Sequence, residues 1–172
     1  MAAARTGDRR AWSKLYRQWQ PRLLAHAWML TSDREVARDC SAQGWGDIFA
    51  GLAKLRDDRA FAAWAYRIVT RKCATAIGRK QQRRSHEAPL EDAPEPATEA
   101  EMVLERVAIE RAMAKLPGEQ RAAIALAYGS GMSIAEMAIA MDAPEGTIKT
   151  RLMHARHKLR AALGENEEIE GE

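Results

Sequence analysis

The sequence contains no long apolar stretch. Nowhere among its 172 residues does an apolar run approach the roughly 20 residues that a transmembrane helix needs. The amino terminus also lacks the apolar core of a secretory signal peptide. We therefore expect a cytoplasmic protein that does not insert directly into a membrane.

Signatures of catalysis and metal binding are scarce as well. Cys40 and Cys73 are the only cysteines, and they are too far apart for a zinc site of the usual spacing. In a reducing compartment we expect two packed thiols. His154 and His157 could share a metal ion, but no third ligand is evident nearby. The chain has no Walker-type glycine loop and no convincing nucleophile set, so the sequence predicts no catalytic residues, no metal and no cofactor.

Strand patterns are also missing, and apolar residues recur at helical spacing instead. One apolar stripe runs through residues 12–19 and continues beyond Pro21, which should interrupt or restart the helix. A second helix is predicted over about residues 34–55, after a capping cluster at residues 31–33. A third begins near Phe61. The fold class predicted from this pattern is all-α.

The second helix contains three glycines, Gly44, Gly46 and Gly51. Each costs up to about 1 kcal/mol relative to alanine in a helix interior. We expect either a bend in the helix or the close approach of a partner backbone at these positions.

Charge is strongly segregated along the chain. Lys and Arg outnumber Asp and Glu by 18 to 7 in residues 1–84 and by 8 to 4 in residues 111–164, whereas acids dominate 8 to 1 in residues 85–110. This pattern indicates two polyanion-binding modules joined by an acidic segment. We expect two small helical domains at residues 1–84 and 101–164, a flexible acidic linker at 85–100 and an acidic tail at 165–172.

Residues 131–160 have the features of a helix-turn-helix. Two helices ending at Pro117 and Gly129 precede it. Ser133 and Glu136 form a capping box that starts a short helix. Asp142 tolerates the left-handed backbone that the turn requires, and Pro144 suits the first turn of the next helix.

The second helix of this motif has an apolar face and a basic face. The apolar face comprises Ile148, Leu152, Ala155, Leu159 and Leu163, and the outward face comprises Lys149, Thr150, Met153, His154, His157 and Arg160. A short capped helix, a turn and a longer basic helix are typical of a DNA-reading motif. The alternative is a solvated basic face on an ordinary helical hairpin.

The third helix combines aromatic and basic residues. Phe61 and Trp64 share it with Arg67, Arg71 and Lys72. Rings that stack on bases beside cations that follow phosphates are what single-stranded DNA binding requires. In the alternative interpretation the two rings are only core and the cations are solvated.

These stretches carry a resemblance to bacterial sigma factors of the extracytoplasmic-function group, which contain only the second and fourth sigma regions. The second region is similar to AWSKLYRQWQPRLLAHA at its start and to FAAWAYRIVTRKCATAIGR at its promoter-melting helix. The fourth region is similar to LPGEQRAAIALAYGSGMSIAEMAIAMDAPEGTIKTRLMHARHKLRAAL along its full length. The resemblance covers nearly the whole chain.

The resemblance implies an RNA polymerase sigma factor that directs promoter-specific initiation. Its expected partners are core RNA polymerase, promoter DNA and an anti-sigma factor. The residues implied in polymerase binding are Asp39, Ala42 and Gln43. The residues implied at the melted −10 element are Arg56, Asp57, Arg59, Phe61, Trp64, Arg67, Arg71 and Lys72. The residues implied at the −35 element are Lys149, Thr150, Arg151, Met153, His154, Arg156 and His157.

Within the −35 set, Arg156 lies near the edge of the outward face and Arg151 lies across from it, so we expect both to hold backbone or packing partners. The family usually has Gln where this chain has Ala42, which with Gly44 and Gly46 sets its polymerase interface apart. Two alternatives remain: a sigma-like decoy for an anti-sigma factor, and a stand-alone helix-turn-helix regulator. The basic melting helix argues against both, because a regulator of intact duplex has no use for it.

Overall fold

The structure is a computed structural model that describes residues 1–84 and 100–164. Within those residues all regular structure is helical, as the sequence predicts. The α-helices are α1 (Ala2–Arg5), α2 (Arg9–Thr31), α3 (Arg34–Gly51), α4 (Phe61–Arg84), α5 (Ala100–Lys115), α6 (Gly118–Ile124), α7 (Ile134–Met141) and α8 (Glu145–Leu163). The predicted tail and nearly all of the predicted linker lie outside the described residues.

Helix α2 is continuous, so the expectation that Pro21 interrupts it is wrong. The Asp8 carboxylate starts the helix by accepting from the amides of Arg10 at 2.7 Å and Ala11 at 3.1 Å. Pro21 is exposed, so its ring faces solvent and the carbonyl that it leaves without a donor can be hydrated. The helix ends where Ser32 adopts a left-handed φ of 53°.

Helix α3 begins at the predicted capping cluster. The Asp33 carboxylate accepts from the amides of Glu35 and Val36 and from Lys80 Nζ at 3.0 Å. The hydrogen bond from Lys80 and those from the amides hold the pKa of Asp33 below its usual value. The helix ends at Gly51 rather than near Leu55, and a 3-10 turn over Leu52–Lys54 follows.

Two of the three glycines in α3 allow a neighbour to approach closely. A Cβ at Gly44 would lie 2.9 Å from Val69 Cγ2, and one at Gly51 would lie 2.8 Å from Cζ2 of Trp64. The expected close approach therefore occurs, although the neighbours are side chains of α4 rather than a backbone. A Cβ at Gly46 would meet nothing within 4 Å.

Helices α2, α3 and α4 form the first bundle. Its core includes the fully buried Leu23, Ile48 and Val69. Cys40 and Cys73 are free and buried in this bundle, which confirms that they are packed thiols. Burial raises the pKa of both thiols, so they are poor nucleophiles.

Helices α5 to α8 form the second bundle, with Leu126, Met137 and Ile148 fully buried. The Ser133 hydroxyl and the Glu136 side chain form the predicted capping box at the start of α7. Asp142 ends α7 with a left-handed φ of 54°, as the sequence predicts. A π-helical turn over Ala125–Gly129 connects α6 to the segment before α7.

The two bundles pack against each other along α4 and the carboxyl end of α2. Helix α4 lies against α7, and α2 lies against the π-helical turn. Arg121 Nη1 donates to the Leu30 carbonyl at 2.7 Å, and a Cβ at Gly129 would overlap Met29. Helices α2 and α4 of the first bundle and α7 of the second are thus held in one closed arrangement.

Candidate nucleic-acid and polymerase interfaces

The orientation of α8 follows from its apolar stripe. Ile148, Leu152 and Ala155 are buried, with exposed fractions of 0%, 4% and 0%. Leu159 is half-buried, whereas Leu163 is 40% exposed. The predicted stripe is therefore correct through Leu159 and wrong at Leu163, because by its last turn α8 has passed the rest of the bundle.

The opposite face of α8 is open to solvent. The exposed side chains are Lys149, Thr150, Met153, His154, His157 and Arg160. The Thr150 hydroxyl donates to the Gly146 carbonyl at 3.0 Å, which leaves its oxygen lone pairs directed outward. Met153 is 58% exposed, so an apolar surface suited to a thymine methyl lies among hydrogen-bonding groups. This face has the size and polarity of a helix that enters a major groove.

Two arginines of α8 have partners within the second bundle. Arg151 forms an ion pair with Glu119 of α6, and its side chain is 20% exposed. Arg156 Nε donates to the Tyr128 hydroxyl at 2.8 Å, and its guanidinium lies 5.7 Å from the centre of the Tyr128 ring. Both arginines hold packing partners, as their positions off the outward face predict.

Three cations of α4 are paired as well. Arg67 Nη2 and Arg71 Nη2 lie 2.5 Å and 3.1 Å from the same Oδ2 of Asp142, in the turn of the helix-turn-helix. Lys72 Nζ lies 2.7 Å from an oxygen of Asp47 in α3. Arg67 and Arg71 thus connect the two bundles, and Lys72 connects two helices of the first.

The two aromatic residues of α4 are packed. Phe61 is 2% exposed, and its ring centre lies 5.2 Å from that of Trp19. The expectation that Phe61 offers its ring to a base is therefore wrong in this arrangement, because the ring belongs to the core. Trp64 is half-buried, with its ring against Gly51 and 6.1 Å from that of Phe61.

The loop before α4 presents charge to solvent. Arg56 and Arg59 are exposed, and the Arg59 side chain is 92% exposed. The Asp57 carboxylate accepts from the backbone amide and the Nε of Arg59. The bond from the amide, followed by that from the side chain, lowers the pKa of Asp57. A charged carboxylate therefore holds Arg59 in place at the tip of this loop.

One face of α3 is exposed in the described part of the chain. Asp39, Ala42, Gln43 and Gly46 are exposed along it. Phe49 continues the same face and is 65% exposed. The polymerase surface predicted from the sequence does not include Phe49. Its place one heptad after Ala42 is the signal that puts it on the same face.

Exposed rings extend this surface onto α2. The centre of the Phe49 ring lies 4.9 Å from that of Trp12, and Tyr16 is 44% exposed. Clustered aromatic side chains of this kind are typical of protein docking surfaces.

The described residues contain no group of three or more His, Cys, Asp or Glu side chains that could hold a metal ion. None of their helices combines the length and the apolar character needed to cross a membrane.

The similarity of this chain to known proteins identifies its family. Residues 15–84 match the Sigma-70 region 2 family, and residues 106–159 match the Sigma-70, region 4 family. The ECF RNA polymerase sigma factor SigM of Mycobacterium tuberculosis is 34% identical over 165 residues, which cover 95% of this chain and 83% of the relative. The chain belongs to the extracytoplasmic-function group of RNA polymerase sigma factors. Its function is promoter-specific initiation of transcription.

Other sigma factors resemble this one at greater distance. The RNA polymerase sigma-H factor of Pseudomonas aeruginosa is 25% identical over 172 residues, covering 91% of this chain and 88% of the relative. The sigma factor RpoE of Bartonella quintana, solved with the anti-sigma factor NepR, superposes with a TM-score of 0.76 at 24% identity, covering 91% of this chain and 99% of that one. CnrH, solved with the cytosolic domain of CnrY, gives a TM-score of 0.72 at 23% identity, covering 96% of each chain. These two structures share the fold of this sigma factor.

Proposed function

We propose that this sigma factor divides promoter recognition between its two helical domains. Residues 1–84 bind core polymerase and capture the melted −10 element, and residues 101–164 read the −35 element. Residues 85–100 are the acidic segment that joins the two, and residues 165–172 are an acidic tail. The protein acts in the cytoplasm and lends recognition to polymerase without catalytic residues of its own.

The outward face of α8 is the observation that carries this proposal. Lys149, His154 and His157 are exposed, and none of them has a partner among the described side chains. A helix held by a buried stripe on one side, with free donors on the other, can place those donors at base edges. Arg151 and Arg156 support the helix through Glu119 and Tyr128 instead.

Strand capture is assigned to α4 and the loop before it. Arg56 and Arg59 are exposed on that loop, and the guanidinium groups of Arg67 and Arg71 lie at the edge of α4. These cations can follow the phosphates of a single strand. We assign Phe61 to packing under this surface, because its ring is buried.

Polymerase binding is assigned to the open face of α3. Asp39, Ala42 and Gln43 lie there beside Phe49. Because residue 42 is alanine and residue 46 is glycine, a partner helix can approach the backbone closely. Phe49 can serve as an apolar anchor. A surface of this kind fits the coiled coil of the polymerase largest subunit, the docking site that the family uses.

An anti-sigma factor is the third proposed partner. Two structures of the same fold are complexes of a sigma factor with an anti-sigma factor or its cytosolic domain. In this chain a cavity of about 430 Å³ lies between α4 and the second bundle, with Leu30, Ile77 and Met141 among its lining residues. A helical partner could enter there and hold the bundles together. Pull-down from the native cell should recover a small protein besides polymerase, and recovery of polymerase alone under all conditions would count against it.

Run-off transcription on a pool of genomic promoters tests the main proposal. The protein with core polymerase should start transcription at specific sites, and the purified protein alone should bind duplex weakly and in a salt-sensitive manner. Tight sequence-specific duplex binding without polymerase would favour a stand-alone regulator. Failure to start transcription, together with capture of an anti-sigma factor, would favour a decoy.

A matched pair of variants tests the polymerase surface. Phe49→Ala should weaken polymerase binding and run-off activity together, because it removes the exposed anchor. Ile109→Ala removes an apolar side chain that is 51% exposed on α5 and should change neither. Equal effects of the two variants would overturn the assignment of the α3 face.

A further inference from the structure

We propose that Asp142 is an internal ligand of the strand-capture cations, so that the closed chain cannot hold the melted −10 strand. This inference rests on the assignment of Arg67 and Arg71 to strand capture. Both guanidinium groups lie on one carboxylate oxygen of Asp142, at 2.5 Å and 3.1 Å. A carboxylate oxygen held by two arginines stands where a phosphate oxygen of DNA would be held.

The turn of the helix-turn-helix does not need this charge. Asp142 has a φ of 54°, a conformation that Asn or Gly adopts at least as well. The start of α8 does not use its side chain either, because the residue before that helix is Pro144 and no side-chain cap is formed. Among the described residues, the Asp142 carboxylate has no partner besides Arg67 and Arg71, so its charge serves the contact with α4.

The geometry of the promoter shows why this contact must break. The names of the −10 and −35 elements place them about 25 positions apart, which is roughly 85 Å of duplex at about 3.4 Å per pair. In the closed chain α7 of the reading motif packs directly on α4. A chain in which the two reading elements touch cannot engage both promoter elements, so promoter binding requires the bundles to separate.

The ion pairs of Asp142 with Arg67 and Arg71 can break and form again. The side chains of Arg67, Arg71 and Asp142 are 31%, 65% and 59% exposed, and exposed ion pairs are weak and screened by salt. The junction also includes the packing of α4 on α7 and of α2 on α5, α6 and the π-helical turn, together with the hydrogen bond from Arg121 to the Leu30 carbonyl and the contact of Met29 with Gly129. Polymerase can therefore open the chain by binding each bundle separately, and free protein closes over its own DNA site.

The experiment compares Asp142→Asn with Glu145→Gln in the full chain. Asparagine keeps the left-handed backbone and removes the charge. Glu145 is exposed three residues further on and has no partner among the described residues, so its variant removes the same charge from the same motif. Two measurements are made on each: energy transfer between dyes at Gln18→Cys and Lys158→Cys, and binding of a single-stranded −10 oligonucleotide. The native thiols are buried and react slowly, and the chain without added cysteines checks this.

Asp142→Asn should lower energy transfer and tighten binding of the single strand by about threefold to tenfold at low ionic strength. The gain should shrink at high salt, and Glu145→Gln should match the unaltered protein in both measurements. Unchanged energy transfer in Asp142→Asn would overturn the role of this ion pair in closure, and lowered transfer without tighter binding would overturn the masking.

A third variant separates this inference from the strand-capture assignment on which it rests. In the Asp142→Asn background, Arg67→Ala should reverse the gain in strand binding. If binding is tighter in Asp142→Asn but indifferent to Arg67→Ala and to Arg71→Ala, the strand is held elsewhere and the inference is wrong. Run-off transcription from the native promoter would still stand in that case, because it does not depend on which residues hold the strand.

Discussion

In this sigma factor, a basic side chain is available to contact DNA only where no neighbouring residue already pairs with it. Lys149 and Arg151 are two residues apart on α8, yet Lys149 is exposed and Arg151 is paired with Glu119. Likewise His154 is open to solvent, whereas Arg156 donates to Tyr128. Only side chains without partners inside the protein can form hydrogen bonds to base edges at no internal cost.

This difference predicts that the His154 and Arg156 variants lose −35 recognition in different ways. His154→Ala should lower transcription and relax preference at one −35 position, by about 1–3 kcal/mol for a good base contact. Arg156→Ala should weaken all −35 variants nearly equally, because it loosens the support of α8 at Tyr128. Initiation from a library of −35 variants measures both effects. A uniform loss in the His154 variant, with base preferences intact, would make His154 a positioning contact.

His26 predicts a pH dependence of stability. It is fully buried, its Nε2 lies 2.9 Å from the Thr70 hydroxyl oxygen, and burial lowers its pKa from 6.5 to about 3. Below pH 6.5 the unfolded chain binds a proton that the folded chain does not accept until the pH falls toward 3. Stability should therefore be complete above pH 6.5 and fall with decreasing pH, by up to about 1.4 kcal/mol per unit.

Urea unfolding at pH 7, 6 and 5 tests this dependence. All five tryptophans lie in residues 1–84, so their fluorescence reports the first bundle. His26→Gln should be less stable at pH 7 but should show a flatter pH dependence than the unaltered protein. His154→Ala, which removes an exposed histidine, should keep the full slope. Equal slopes in the protein and in His26→Gln would contradict the prediction.

At the scale of helices, one side of α3 packs in the core, and the other side is exposed and forms the proposed polymerase surface. On the inner side Gly44 makes room for Val69, and on the outer side Gly46 meets nothing within 4 Å. Packing therefore requires glycine at position 44 but not at position 46, which favours a role for Gly46 at the proposed docking face.

The two glycines should therefore respond oppositely to alanine. Gly46→Ala should stabilise the protein by up to about 1 kcal/mol, because the helix gains propensity at an exposed site. Gly44→Ala should destabilise it, because Val69 is branched at Cβ and cannot easily move aside. Thermal unfolding measures both. If Gly46→Ala also weakens polymerase binding, the glycine is kept for docking. A loss of stability in this variant would contradict the prediction.

At the scale of the whole molecule, Arg67 and Arg71 pair with Asp142 in the turn of the second bundle, and the promoter strand is their proposed competing partner. Arg67→Ala or Arg71→Ala should impair open-complex formation about tenfold, the value of one charge-assisted contact. The defect should shrink on a template with a pre-melted bubble, where the unpairing cost is already met.

Arg79→Ala is the matched control for these variants, because Arg79 is exposed further along α4 and has no partner among the described residues. Permanganate footprinting of melted thymines on both templates gives the measurement. An equal defect on duplex and bubble would indicate that Arg67 and Arg71 act in folding or docking instead.

The sequence by itself determined the local features of this protein. Helix starts at Asp33 and Ser133, the left-handed turn at Asp142 and the buried side of α8 up to Leu159 all follow from side chains acting on their own backbone or from helical periodicity. The family signature, which determines function, is likewise local in sequence. Continuity of α2 through Pro21 was missed, because an exposed proline can be accommodated where solvent replaces the lost hydrogen bond.

The tertiary structure alone decided which side chains are exposed and unpaired, and so able to contact a partner. Burial of Phe61 against Trp19 and exposure of Phe49 beside Trp12 depend on how helices cross, and periodicity within one helix carries no information about its neighbour. The pairing of Arg67 and Arg71 with Asp142 joins residues 75 and 71 positions apart in the chain. No local pattern can predict such a contact, because its free energy arises only when two bundles distant in sequence meet.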